Sequence, residues 1–238
     1  HKTYVSIPIN EAALRDRRED LLLLLEVGSL LSTSRNLGGF LTLALSRLLE
    51  YFEMKVGRIY LLDEKGEFLR LAAHQGMEPA GLERVHINEG FSGRAVRTKS
   101  FLAQRVSDLE DADRRRLLIE KGFEIIICVP LIAMDKAVGV MNFAVGVEFE
   151  LRREKIDLFS AIGNQIANAV NQARLYEKLN LKMNELRKKQ ETVQFFAYSI
   201  SHDLKSPATS LYALTKRLLD KHGGGLGEKG KANCEQIQ

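Results

Sequence analysis

Leucines recur at helical spacing from about residue 11 to 31 and again from about 39 to 52, after which the period changes. Asn36 stands where the second helix needs an N-cap. Short β-rich runs follow at 56–63, 68–74 and 84–87, and Glu64, Lys65 and Gly66 suit a hairpin turn between the first two. The glycine-bracketed stretch Glu89, Gly90, Phe91, Ser92, Gly93, Arg94 leads into a short helix and then a strand near 101–105. Residues 111–121 read as a charged surface helix. Two long apolar strands, 123–133 and 136–147, are separated only by Met134 and Asp135 and form the strongest hairpin in the chain. From Arg152 everything reads as helix until Gly223, Gly224 and Gly225, with no proline before Pro207.

That last helix carries an apolar stripe. Ile162, Ile166, Ala169, Ala173 and Tyr176 alternate by four and three, as coiled-coil seams do. Leu179, Met183 and Leu186 continue it, but the step from Tyr176 to Leu179 is three where four is due, which locally overwinds a coiled coil. Val193, Ala197, Ile200, Leu204, Leu211, Leu214 and Leu218 hold the same face further on. Self-association is the economical way to bury such a stripe, and packing back on the chain's own domain is the alternative. The pattern predicts an α+β domain, an antiparallel sheet flanked by helices, followed by an all-α coiled-coil and helical-hairpin dimerisation region. The second helix of that hairpin begins near Glu228 and is cut off at Gln238.

Composition narrows the picture. With 238 residues, 45% hydrophobic and 28% charged, the chain can bury a real core, which rules out full disorder and a disulfide-stapled miniprotein. A net charge of +4 is too small to argue for nucleic acid, and the lack of Trp leaves no evident stacking platform for bases. Cys128 sits in an apolar run as a buried thiol and Cys234 in a polar tail, a usage that suits a reducing compartment. The leucine run at 21–25 is stopped by Glu26 and preceded by charged residues, so it is neither a membrane span nor a signal peptide. A cytoplasmic protein is expected. Because it lacks an initiator Met, the chain reads as a piece of something longer.

The segments EGFSGRAVRTKSFLAQRVSD and IIICVPLIAMDKAVGVMNFAV, with the helix FSAIGNQIANAVNQARLYEKL, resemble GAF domains, which are small-molecule-sensing modules. The resemblance covers roughly residues 21–179. It implies a sensor but names no ligand. The Asn-Lys-Phe-Asp-Glu constellation of cyclic-nucleotide relatives does not assemble, since Asn142 is followed by Phe143. Bilin-binding relatives pair a thioether-forming Cys with a following His, whereas Cys128 precedes Val129. Haem-binding relatives need an axial histidine, and only His74 and His86 lie in this domain, with His74 read as structural. No histidine spacing suits a metal site. Either an unidentified small ligand or a purely structural module is expected.

The stretch SISHDLKSPATSL resembles the phosphoacceptor motif of sensor histidine kinases: His202, Asp203, Leu204, Lys205, Ser206 and Pro207 follow its pattern contiguously. Helical geometry adds independent support. At about 100° per residue, Ile200 and Leu204 fall on the seam while His202 lies about 180° from its centre, turned outward. Ser206, one turn on, shares that face. By resemblance His202 is the nucleophile that accepts phosphate from ATP, and Asp203 is the general base or orienter. Ser206 occupies the place where relatives that also remove phosphate carry a water-aligning residue. Pro207 removes a backbone donor and should bend or loosen the helix below the histidine. Gly225, Gly230 and Lys231 have Walker-type spacing, but Ala232 replaces the Mg²⁺-binding hydroxyl and no strand precedes them.

The expected organisation is an N-terminal helix or linker at 1–20, a GAF sensor domain at 21–175, a coiled-coil signalling helix at 176–192 and a truncated phosphoacceptor hairpin at 193–238. No ATP-lid motif of a kinase catalytic domain occurs, so ATP and Mg²⁺ would act through a separate catalytic domain and this chain alone should be inactive. The expected partners are a second copy, that catalytic domain and a cognate response regulator, with no nucleic acid and no membrane segment. A non-catalytic GAF dimerisation module and a haem or bilin sensor are the alternatives.

Overall fold

The computed structural model describes residues 11–34, 36–78, 81–146, 149–222 and 224–237; residues 1–10 of the expected N-terminal segment, with Val147, Gly223 and Gln238, lie outside them. The described residues fall into two compact units, one ending at Leu175 and one starting at Tyr176.

The first unit is built on six strands: β1 (Val56–Leu62), β2 (Phe68–Gln75), β3 (Arg84–His86), β4 (Leu102–Arg105), β5 (Ile125–Ala133) and β6 (Lys136–Val145). They form one sheet in the order β3-β2-β1-β6-β5-β4, with every neighbouring pair antiparallel. Local chemistry sets the joints. Gly66 takes a left-handed φ in the β1–β2 turn, while Asp63 Oδ1 accepts the Glu67 amide at 2.9 Å. Met134 and Asp135 both have positive φ, the two-residue turn whose twist matches a right-twisted hairpin.

One sheet face packs under α1 (Glu11–Thr33), α2 (Leu37–Tyr51) and the start of α5 (Arg153–His222). Asn36 caps α2 as expected, its side chain accepting the Gly39 amide at 2.8 Å. Phe159 of α5 is fully buried there, stacked on Phe52 with ring centroids 4.2 Å apart and tilted against Phe143 at 5.4 Å. Residues alternating with these on β1, β5 and β6 build a second core with α3 (Gly90–Thr98) and α4 (Ala112–Glu120) on the other face.

Two expectations need correcting. Ile162, Ile166 and Ala169 are not coiled-coil seam: they are buried in the first unit's core, where α5 covers the sheet. Their four-three spacing serves an intradomain face, which has the same period as an intermolecular one. Nor is α4 simply a surface helix, since Leu118 is buried and Arg114 lines a cavity.

In the second unit, α5 continues to His222 and is followed by α6 (Glu228–Ile237). The helix runs through Pro207 without a break, one backbone hydrogen bond short. Leu179, Met183 and Leu186 are 55%, 59% and 65% exposed. Around them Glu185 pairs with Lys182 at 2.7 Å and with Lys189 at 3.3 Å, as on a solvated helix face. Gly230 and Lys231 lie inside α6, so the Walker-like spacing is carried by helix rather than by a phosphate loop. No described helix is long and apolar enough to cross a membrane.

Candidate functional site

Two places gather chemistry. The first is on α5 of the second unit. His202 and Asp203 are adjacent and exposed, with 74% and 76% of their side-chain surface open. Imidazole Nδ1 stands 3.3 Å from Asp203 Oδ1. A carboxylate only accepts, so a neutral ring holding this contact carries its proton on Nδ1 and leaves the Nε2 lone pair outward. That is the atom a nucleophilic imidazole needs. Ser206 is exposed one turn on, and its carbonyl accepts the Ser210 hydroxyl at 3.0 Å, so the helix persists beneath the histidine. Lys205 is exposed as well.

The second is a cavity of about 660 Å³ in the first unit, between the sheet face carrying the smaller core and α4. Strand register builds its floor. His74 pairs with Arg58, Arg58 with Asn142, and Asn142 with Cys128, which puts one residue from each of β2, β1, β6 and β5 in a lateral row. Gly76 ends β2 with a left-handed φ of 92°, and a Cβ there would meet the Lys55 carbonyl at 1.9 Å. Only glycine lets the chain turn here and bring Met77 and Glu78 over the cavity's edge.

Arg58 is 7% exposed, and its Nη2 donates to the Glu78 carbonyl at 2.8 Å. Its Nε is buried with no partner among the described residues, and so is Asn142 Oδ1. An unpaired buried polar group costs about 1–3 kcal/mol, and more when charged. Arg114, from the first turn of α4, also lines the cavity; burial holds its pKa down and the nearby Arg58 charge lowers it further. Burial pushes the Tyr60 phenol up, with Arg58 opposing. Asn142 Nδ2 donates to Ser92 Oγ at 2.7 Å, tying the floor to α3. Burial pushes the neighbouring Cys128 thiol up to about 12, against Ser92 and Arg114.

The structure therefore separates the residues singled out from sequence. Asn142 lines the cavity floor and Cys128 is buried beside it on the next strand, though neither fits the ligand motifs tested for it. His74 is exposed at the end of the row. His86 packs edge-on against Phe68, and its Nδ1 accepts the Asn88 amide at 3.1 Å, a structural role. Arg58 and Arg114 were missed. Arg58 reads as the polar position of an alternating strand, and Arg114 as one charge in a run of three arginines. Only the fold, with helices on both sheet faces, turns them inward. Among the described residues no cluster of His, Cys, Asp and Glu could hold a metal ion.

The family description "GAF domain" matches residues 36–172. Solved structures share the fold. The GAF domain of a phosphoenolpyruvate-protein phosphotransferase from Acinetobacter is 19% identical with a TM-score of 0.55, the match covering 67% of this chain and 98% of that one. The corresponding domain from Coxiella burnetii is 18% identical with a TM-score of 0.57, over 67% and 96%. A free methionine-R-sulfoxide reductase from Neisseria meningitidis, solved with its substrate, is 18% identical with a TM-score of 0.55, over 74% and 99%. No curated protein matches the chain.

Proposed function

The chain belongs to the GAF-domain family, and from that premise we propose that it is the sensory and dimerising portion of a two-component sensor histidine kinase, with His202 as phosphoacceptor. A sensory or ligand-binding role comes with the family. The kinase context rests on the contiguous run His202 to Pro207, set on a helix with the imidazole open and a carboxylate at its Nδ1.

Phosphoryl transfer to this site is straightforward chemistry. Nε2 attacks the γ-phosphorus of ATP held by a separate catalytic domain, the bond to the β,γ-bridging oxygen breaks, and ADP leaves. Asp203 orients the ring and takes up or shares the Nδ1 proton as positive charge develops. The phosphoryl group then passes to an aspartate of a response regulator. Ser206, on the same face, would align a water for the reverse duty of phosphatase. The stripe Leu179, Met183, Leu186, Ile200, Leu204 calls for a second copy, because no single helix can cover it. Since α5 begins in the GAF core and reaches His202 as one element, a ligand that biases the domain has a covalent route to the histidine.

The deciding experiment supplies a sensor-kinase catalytic domain and labelled ATP to the full chain. An acid-labile, base-stable label should appear on the wild type and vanish in His202→Gln, while Asp203→Asn slows labelling by about 10²–10⁴-fold. No label on the wild type, or label surviving in His202→Gln, leaves a non-catalytic GAF module.

A further inference from the structure

We infer that the cavity floored by Arg58 and Asn142 and walled by Arg114 binds a small organic anion, a carboxylate or phosphate head on a compact apolar body. The inference rests on the ligand-sensing reading of the GAF domain and not on the phosphoacceptor reading of His202.

Two guanidinium groups line one half-open cavity, and neither forms an ion pair among the described residues. Like charges that lie close together repel, and among the described residues no buried carboxylate offsets them. The acidic residues of the lining form no ion pair with either guanidinium, and the Asp111 charge acts only weakly on Arg114. Asp111 caps α4, its Oδ1 accepting the Arg114 amide at 3.0 Å, while Asp113 and Glu78 are exposed at the mouth.

Arg58 is not explained as a loop tether alone. Its Nη2 holds the Glu78 carbonyl and lies 3.4 Å from that of Met77, which uses one corner of the fork; its Nε is buried without an acceptor among the described residues. The missing partner is an oxygen acceptor, and planar guanidinium donors match the paired oxygens of a carboxylate or phosphate. Asn142 adds a neutral contact. As placed, its Oδ1 awaits a donor; turned over, the amide would accept from Ser92 and offer N–H to the cavity. Both orientations leave one polar atom for a ligand. The remaining walls, Val56, Leu82, Leu117, Leu118 and Ile126, are apolar and suit a hydrocarbon or ring body.

The test titrates the full chain with hexanoate, hexyl phosphate and neutral hexanamide by calorimetry, alongside Arg114→Gln and the remote control Lys65→Gln. One or both anions should bind, hexanamide should not, and Arg114→Gln should weaken binding by about 10–100-fold while Lys65→Gln leaves it unchanged. The tighter anion identifies the head group. If Arg114→Gln melts early, the wild-type Asn142 side-chain amide resonance decides: it shifts on adding the anion, or the proposal falls. Hexanamide binding as well as hexanoate overturns the anion class and leaves the cavity a ligand site. Binding undiminished in a folded Arg114→Gln overturns the assignment. Silence from all three probes removes the ligand role of this cavity too, while labelling of His202 is scored separately.

Discussion

The two halves of α5 carry the same apolar spacing and meet opposite fates. Ile162 and Ile166 are fully buried under the sheet, whereas Leu179 and Leu186, placed by a similar repeat, stand more than half exposed. Periodicity thus records how much of a helix must be covered but not what covers it. In the first unit the cover is the chain's own core, locked by Phe159 against Phe52 and Phe143. In the second the same kind of stripe stands exposed.

The widest gap between the units is chemical, because each holds one cysteine. With the Cys128 thiol pushed up to about 12, roughly one part in 10⁴ is thiolate at pH 8, and it is sealed from reagent besides. Iodoacetamide at pH 8 should modify the half-buried Cys234 within minutes to hours and leave Cys128 intact until denaturant is added, as read by mass spectrometry. Equal labelling under native conditions would mean that the first unit opens far more readily than its packing implies.

Next in size is Phe159→Ala, which should cost the first unit about 3–5 kcal/mol in thermal or urea unfolding. Asn36→Ala, which removes the α2 cap, should cost about 1 kcal/mol by the same measurement, and Asn36→Gly a few tenths. Leu179→Glu combined with Leu186→Glu should change that melt by less than about 0.5 kcal/mol yet halve the sedimenting mass. A wild type that sediments as a monomer, or a double variant that still dimerises, would break the claim that the exposed stripe is an interface.

Much of this was legible wherever a short-range rule applied. The Asn36 cap, the turn at Gly66 and the β5–β6 hairpin follow from a few neighbouring residues. The cavity was not legible, because Arg58, Arg114 and Asn142 become neighbours only through strand order. Arg58 follows Gly57 and precedes Ile59, so alternation marks it as the polar side of a strand. Nothing local says that α4 covers that side too. The seam was over-read for the same reason: residues 162–169 have a coiled coil's spacing and a domain core's partners.

The row His74, Arg58, Asn142, Cys128 draws on four strands whose order along the chain differs from their order in the sheet. Pairing β1 with β6 closes a loop spanning most of the domain, a slow non-local step in folding. No partly assembled intermediate can present the complete row. A molecule held by Arg58 and Asn142 of that row would recognise only the finished sheet, shifting the folding equilibrium by mass action and sparing a loaded domain from proteolysis.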